Sequence, residues 1–176
     1  AQEYFGCWSD DTFYIYSDGV KYFATNNGLA SFDGMDWKVY HNNPKITTET
    51  INDIGFEQST YGPELWLGTN KGLNVASMPV DAVSGATTYT ESNTKDLFPD
   101  GPGLTGDSVS VVMIDNKNIR WFGTNNGLSA FLGSQFSDFD LKNFYNAGFF
   151  ANNRITSFDY SGDTLYIGTK GGGVAR

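Results

Sequence analysis

Histidine and cysteine, the side chains best suited to metal binding and nucleophilic chemistry, occur once each in the sequence, as His41 and Cys7. A single imidazole cannot build an imidazole metal site within one chain, and a single cysteine cannot form an intrachain disulfide. His41 precedes Asn-Asn-Pro in a predicted surface loop, and no nucleophile elbow accompanies it. The sequence therefore predicts no metal site and no catalytic triad, and we expect that the chain is not an enzyme.

Pairs of acidic side chains, the other common source of catalytic groups, occur as Asp10-Asp11 and as Asp138 with Asp140. Both pairs lie in turn-rich stretches, where carboxylates cap and solvate the backbone. Nothing in the sequence marks two carboxylates held opposite each other, as glycoside hydrolysis requires. A carbohydrate-active enzyme on this scaffold is therefore only the third function that we consider.

One hydroxyl-rich segment, DAVSGAT at 81–87, carries a more specific signal. It resembles the flavin-attachment motif Asp-x-x-Ser/Thr-Gly-Ala-Thr/Ser, in which an exported transferase links FMN to the last threonine through a phosphoester. The motif positions that the resemblance implies are Asp81, Ser84, Gly85, Ala86 and the acceptor Thr87. The segment is also compatible with a purely structural insertion. Covalent FMN is therefore an alternative, and otherwise we expect no cofactor.

Charge and composition exclude several partners. The chain of 176 residues has 20 acidic and 11 basic side chains, for a net charge of −9. This balance argues against binding to nucleic acid, which needs clustered Lys and Arg, and against docking on an anionic membrane surface. No apolar run approaches the length of a membrane span. The aromatic share of 16% favours strands, and 21 glycines predict frequent tight turns.

The main organising signal is an internal repeat. Four segments share the pattern aromatic, apolar, small, Thr, two polar or small residues and Gly, usually followed by Leu: YFATNNGL at 22–29, WLGTNKGL at 66–73, WFGTNNGL at 121–128 and YIGTKGGG at 166–173. Their glycines, taken as 28, 72, 127 and 172, are spaced by 44, 55 and 45 residues. A period of about 40–50 residues is typical of four-stranded propeller blades. The longer spacing indicates an insertion.

Each repeat predicts the same antiparallel unit. Short apolar runs at 51–56, 109–114 and 155–160 precede the aromatic residue and predict a first strand. The aromatic–Thr segment forms a second strand, the residues after the turn glycine a third, and 37–40 or 139–145 a fourth. The recurring side chains have structural explanations: aromatics fill contacts between sheets, and Thr satisfies local backbone groups. Gly68, Gly123 and Gly168 permit close backbone approach.

The second and third repeats, preceded by a strand such as INDIGF at 51–56, resemble the two-component-regulator propeller repeat. That repeat builds periplasmic sensor domains of bacterial hybrid histidine kinases and also stand-alone exported proteins. The resemblance covers essentially the whole chain, although the first repeat departs at Tyr22 and Ala24 and the last at Tyr166 and Gly173. It implies a β-propeller that binds a ligand on its end faces, in a periplasmic, secreted or cell-surface location.

We therefore expect an all-β chain of β-propeller-type repeats, with about four antiparallel four-stranded blades in one domain over 1–176. The blades are predicted near 12–40, 46–95, 107–145 and 153–176, and residues 1–9 can supply a missing strand of the last blade. Four repeats are fewer than the seven or so usual in the family. Three assemblies stay open: a fragment of a longer propeller, a ring completed by a second chain, and a small four-bladed ring.

Ligand contacts in propellers usually come from loops at one end of the ring. The loops that lead from one predicted blade to the next are 41–50, 98–107 and 148–154. The candidate ligand-binding residues in them are His41, Phe149, Phe150 and Arg154. Exposed aromatics with an arginine suit a carbohydrate or a peptide, although Phe149 and Phe150 can equally fill gaps between blades. The sequence favours a non-catalytic ligand-sensing or protein-interaction module of an exported bacterial protein.

Overall fold

The repeated aromatic–Thr segments form the second strands of four small antiparallel sheets. The computed structural model describes residues 13–15, 19–40, 50–59, 62–78, 86–90, 92–94, 103–132, 135–139 and 154–176. Within these ranges the chain consists of strands, turns and connecting segments, apart from one helical turn at 92–94. The expected all-β fold class is therefore confirmed.

The first two sheets, which we call the first and second blades, each contain four strands in chain order. The first blade consists of β1 (Phe13–Ile15), β2 (Lys21–Thr25), β3 (Gly28–Phe32) and β4 (Trp37–Val39). The second blade consists of β5 (Ile51–Ser59), β6 (Gly62–Thr69), β7 (Gly72–Ser77) and β8 (Ala86–Tyr89). Each strand pairs antiparallel with the next, so both blades are simple meanders.

The third blade is also a four-stranded meander, and three strands of the fourth blade lie in the described residues. The third blade consists of β9 (Val109–Ile114), β10 (Arg120–Thr124), β11 (Gly127–Leu132) and β12 (Gln135–Phe139). The fourth blade consists of β13 (Ile155–Ser161), β14 (Thr164–Thr169) and β15 (Gly173–Ala175). The segment 1–9, expected to complete the fourth blade, lies outside the described residues.

The outer strand of the third blade differs from the sequence prediction. We expected it at 139–145, but β12 occupies Gln135–Phe139. Leu132 of β11 pairs with Gln135, so only two residues of the sequence separate the paired ends of the two strands. A short connection fixes the register of an antiparallel hairpin, so the strand starts at the first residues that can pair.

The last repeat is offset by one residue from its sequence alignment. In the first three blades a threonine pairs with the glycine three residues later, as Thr25 does with Gly28. In the fourth blade Thr169 pairs with Gly173, not with Gly172. Gly171 and Gly173 have φ angles of +79° and +88°, a region that favours glycine, so the glycine run closes a longer turn. Val174, rather than Gly173, therefore occupies the position of the leucine in the other repeats.

Each repeated threonine ties its own turn together. Its hydroxyl donates to the carbonyl of the turn glycine, which confirms the predicted role of Thr in satisfying local backbone groups. The Oγ1 to O distances are 2.8 Å for Thr25–Gly28, 2.7 Å for Thr69–Gly72, 2.9 Å for Thr124–Gly127 and 3.0 Å for Thr169–Gly173. In the first three blades the same oxygen also accepts from the backbone N–H two residues later. The turn is thus specified by local sequence.

The blades pack face to face in chain order. β5 of the second blade contacts β1 and β2 of the first, and β9 of the third contacts β5 and β6. β13 of the fourth blade contacts β9 and β10. Each first strand therefore lies against the preceding blade, as in a propeller whose inner strands surround a common axis.

Apolar clusters fill the three contacts between blades. In each, the leucine after the turn glycine shares a cluster with the first residue of the next inner strand. These pairs are Leu29 with Ile51, Leu73 with Val109, and Leu128 with Ile155. All six side chains are at most 4% exposed. The predicted aromatic filling is clearest at Trp66, which stacks on Phe122 of the next blade at a centroid distance of 5.6 Å.

Two of the three strand glycines lie where the next blade approaches most closely. A Cβ on Gly68 would lie 3.1 Å from Val109 Cγ1, and a Cβ on Gly123 would lie 2.5 Å from Ile155 Cγ2. This confirms the expected close approach at both positions. At Gly168 the space for a Cβ is instead taken by Ser157 of the same blade.

Candidate functional site

The Thr-x-x-Gly turns lie beside the N-terminal ends of the inner strands, where the first strand of each blade begins. Backbone hydrogen bonds hold three of the four turns to the residues just before an inner strand. Asn125 N donates to Ser108 O at 2.9 Å, and Lys170 N donates to Arg154 O at 2.8 Å. Gly72 N donates across blades to Asp107 O at 2.5 Å. The turns and the N-terminal ends of the inner strands from successive blades thus form one continuous end face.

A polar cavity of about 600 Å³ opens on this end face. All four blades contribute to its wall, so it lies at the common axis rather than within one sheet. Its neutral polar residues are Asn26, Thr50, Asn52, Asn70, Ser108 and Ser110. Amide and hydroxyl groups of this kind are suited to hydrogen bonding with sugar hydroxyls or peptide groups.

Two of the lining side chains sit on β-bulges and also clamp neighbouring blades. The register of β5 against β6 shifts at Asn52, and that of β9 against β10 shifts at Ser110. Asn52 Nδ2 donates to Val109 O at 2.7 Å, and Ser110 Oγ donates to Ile155 O at 2.5 Å. A bulge re-aims one side chain without ending the strand, which is how these residues come to face the axis.

Arg154 brings a positive charge to the cavity. It directly precedes β13, its side chain is exposed, and it is the charged residue among those that line the cavity in the described part of the chain. A guanidinium presents several N–H donors in a planar fork that suits carboxylates and vicinal oxygens.

The structure places only one of the predicted ligand-binding residues. Arg154 lies in the cavity wall, whereas His41, Phe149 and Phe150 lie outside the described residues. Sequence reasoning missed the amides and hydroxyls of the wall. The signal that could have found them is positional, because Asn52 and Ser110 stand one residue after the β-branched residue that opens each inner strand.

Thr87, the predicted FMN acceptor, lies on β8, the outer strand of the second blade. Its side chain is exposed, and it pairs with Val75. The neighbouring Thr88 differs, because its Oγ1 accepts a 2.7 Å hydrogen bond from Asn74 Nδ2. Of the other motif residues, Ala86 belongs to the same strand, and Asp81, Ser84 and Gly85 lie outside the described residues. The side chain of the predicted acceptor is thus exposed, and its backbone is paired within a strand.

The described cavity residues contain no pair of groups suited to acid–base or nucleophilic chemistry. The hydroxyl of Ser110 donates to backbone carbonyls, including that of Gly123 at 3.1 Å. Among the described residues no group of three or more His, Cys, Asp or Glu side chains is placed to hold a metal ion. In the same part of the chain, no helix has the length and apolar character needed to cross a membrane.

No family model matches the sequence, and no curated protein sequence matches it. Solved structures with a similar fold do exist. The extracellular domain of BT3049 from B. thetaiotaomicron, assigned as a hybrid two-component system, aligns with 92% of this chain at a TM-score of 0.67 and 19% identity. That of BT4673 from the same organism, assigned as a one-component system, aligns with 90% at a TM-score of 0.62 and 20% identity. PorZ, an essential surface component of the Porphyromonas gingivalis type-IX secretion system, aligns with 93% at a TM-score of 0.62 and 19% identity.

The chain spans only part of each of these proteins: 20% of the BT3049 structure, 19% of the BT4673 structure and 25% of PorZ. At such low identity the likeness concerns the backbone and not the site residues. The chain therefore has the all-β, propeller-like fold that these extracellular and surface proteins contain.

Proposed function

We propose that this chain is a non-catalytic ligand-sensing or protein-interaction module that holds its ligand over the axial cavity. The observation that carries the proposal is the composition of the cavity wall, in which Asn, Thr and Ser residues of the first three blades lie together with Arg154. Such a wall can bind a carbohydrate or a short peptide by many hydrogen bonds without activating any of them for chemistry.

An exported location supports the same role. The solved structures with this fold are extracellular domains of signalling systems or a surface component of a secretion system. We propose that this chain acts in the periplasm or at the cell surface, where a sensor or surface module meets its ligand. The acidic net charge of −9 suits such a setting because it keeps a β-rich protein soluble and monodisperse.

A binding screen with a turnover control tests the proposal. The purified chain is probed against an oligosaccharide array and a peptide library, and each bound compound is then incubated with the protein and analysed for products. We expect one ligand class to bind and to be recovered unchanged. Conversion of a bound oligosaccharide would identify a carbohydrate-active enzyme instead, and no binding in either collection would contradict the proposed function.

We propose covalent FMN on Thr87 as a second candidate function, because the threonine is exposed on an outer strand where a separate transferase could reach it. The bound group would supply electron-carrying flavin chemistry outside the cytoplasm. Intact-mass spectrometry after co-expression with a flavin transferase tests this candidate. The wild-type chain and Thr87→Ser should gain the mass of FMN less one water, as a phosphoester requires, whereas Thr87→Ala should not. An unmodified wild-type chain would remove the candidate.

A further inference from the structure

Two glutamates of the second blade stand directly opposite each other beside one arginine of the third blade. Glu57 of β5 pairs with Glu64 of β6, so the two side chains lie on the same face of the sheet. The Cβ atoms of such partners are about 4.5–5.5 Å apart, and like charges at these positions repel each other. Arg120 of β10 donates from Nε and from Nη2 to the two oxygens of Glu57. The arginine is thus bound to one glutamate while the other stands next to the pair.

A buried donor without a hydrogen bond lies in the same cluster. The side chain of Trp66 is 3% exposed, and its Nε1 has no hydrogen-bond partner. Trp66 follows Glu64 by two residues on β6, so both side chains are on the same face, and the guanidinium of Arg120 lies over the indole ring. Buried polar groups are normally paired, so this N–H needs an explanation.

The third blade shows which kind of residue can pair with it. Trp121 is the repeat equivalent of Trp66, and its Nε1 donates to Asp115 Oδ2 at 3.0 Å. Asp115 lies two residues after the strand partner of Trp121, and Glu57 lies two residues after the strand partner of Trp66. Glu57 is therefore the acidic residue placed to accept from Trp66 Nε1. In the structure both of its oxygens are bound to Arg120 instead.

We propose that Glu64 is a proton-controlled switch that decides whether Glu57 accepts a hydrogen bond from Trp66. While Glu64 is protonated, Arg120 holds both oxygens of Glu57, as in the structure. When Glu64 loses its proton to water, its carboxylate takes the Nη2 donor of Arg120. The released Oε1 of Glu57 then accepts from Trp66 Nε1. Each carboxylate thus keeps one N–H of the guanidinium, and the indole gains the kind of bond that its equivalent in the third blade already makes.

The surroundings of Glu64 favour its protonated form. Burial raises the pKa of its carboxyl, the charge of Glu57 adds to the rise, and Arg120 opposes it. On β8, Tyr89 faces the same cluster, and burial and the charge of Glu64 raise the pKa of its hydroxyl, which therefore stays neutral around pH 7. On β7, the uncharged Ser77 stands opposite Glu64. The switch therefore operates above the ordinary pH range of a glutamate.

Nuclear magnetic resonance of the indole N–H groups tests the proposal. The full chain is labelled with isotopes at the tryptophan nitrogens and at the glutamate carboxyl carbons, and spectra are recorded between about pH 4 and pH 9. The Trp66 signal is identified by its through-space contacts to Phe122, whose ring stacks on it. We expect this signal to move downfield as pH rises, with the same midpoint as the carboxyl carbon of Glu64. The signal of Trp121, which is already bound to Asp115, should not follow that midpoint.

A pair of matched variants separates the switch from a general effect of pH. Glu64→Gln removes the titrating group and keeps its shape, so the Trp66 signal should stay at its low-pH position throughout. Asp159→Asn removes an exposed carboxyl of the fourth blade and should leave the titration of the Trp66 signal unchanged. A Trp66 signal that stays fixed while Glu64 titrates, or that moves equally in Glu64→Gln, would overturn the proposal. A Trp121 signal that moves with the same midpoint would also overturn it.

Discussion

Glu57 of the second blade and Arg120 of the third form a bidentate ion pair across the blade contact. Arg120 Nε donates to Glu57 Oε2 at 2.6 Å, and Nη2 donates to Oε1 at 2.5 Å. The side chains are only 6% and 12% exposed, and the guanidinium carbon lies 5.0 Å from the Trp66 ring centroid. The pair therefore lies within the aromatic cluster that joins the two blades, where an unpaired charge would be costly.

Removing one member of this pair should strongly destabilise the protein. We expect Arg120→Ala to lower the free energy of unfolding by about 3–5 kcal/mol, because it leaves a carboxylate buried without its cation. Replacing both residues, as Glu57→Leu with Arg120→Met, should recover most of the loss. Urea unfolding followed by tryptophan fluorescence measures these values. Lys117→Ala is the matched control, since it breaks the exposed Lys117–Asp163 pair and should cost less than about 1 kcal/mol.

Stability should depend on pH through Glu64. Burial raises the pKa of its carboxyl above the ordinary value, the charge of Glu57 adds to this, and Arg120 opposes it. Because the folded-state pKa is raised, the protonated carboxyl of Glu64 contributes fully to the stability of the folded protein below the ordinary pKa. That contribution is lost as the pH rises through the folded-state pKa. Glu64→Gln should therefore stabilise the protein at pH 7 more than at pH 4. Equal effects of Glu64→Gln at both pH values would contradict this.

The close approach at Gly123 should not tolerate a side chain. Gly123→Ala would place a Cβ 2.5 Å from Ile155 Cγ2, and we expect a loss of about 1–3 kcal/mol from overpacking. Thermal unfolding of Gly123→Ala, Ile155→Ala and the double variant forms a double-mutant cycle. The double variant should lose less than the sum of the single losses, because Ile155→Ala removes one of the two methyl groups, the other being Val111 Cγ1, that lie 2.5 Å from the added Cβ. Simple additivity would show that the two positions do not share a contact.

The threonine of each turn should matter in proportion to its burial. Thr69 is fully buried and its hydroxyl serves both Gly72 O and Lys71 N, so Thr69→Val should cost about 1–3 kcal/mol. Thr169 makes the corresponding bond to Gly173 O nearer the surface, and Thr169→Val should cost about 1 kcal/mol or less. Chemical denaturation of both variants checks the order. A larger loss of stability in Thr169→Val than in Thr69→Val would mean that the burial of each turn does not determine how much its hydrogen bond contributes.

The parts of this fold that depend on local sequence could be predicted from the sequence. The threonine of the Thr-x-x-Gly turn makes its hydrogen bond within the turn itself. The glycines at 68 and 123 indicate that the next blade packs closely against the strand, because a side chain would not fit there. The repeats then need only to stack, since each of the first three buries its leucine against the next. At these positions the residues that favour the local turn or strand are also the residues that the packing between blades requires.

The cavity wall could not be predicted in the same way. Asn52 and Ser110 face the axis because their strands bulge, and a bulge is a property of pairing rather than of composition. The glycine run at 171–173 allowed two alignments, and only pairing with Thr169 identified Gly173 as the turn glycine. Arg154 was named from the sequence because it follows Phe149 and Phe150 in a loop between predicted blades, and the structure places it in the cavity wall.

The most direct test of the account is the contribution of Arg154 to ligand affinity. Isothermal titration calorimetry with the tightest compound from the binding screen compares the wild-type chain, Arg154→Ala and the exposed control Arg176→Ala. A charge-assisted hydrogen bond contributes about 1.5–3 kcal/mol, so Arg154→Ala should weaken binding about tenfold or more and Arg176→Ala should not weaken it. Equal affinities of all three proteins would contradict ligand binding at the axial cavity.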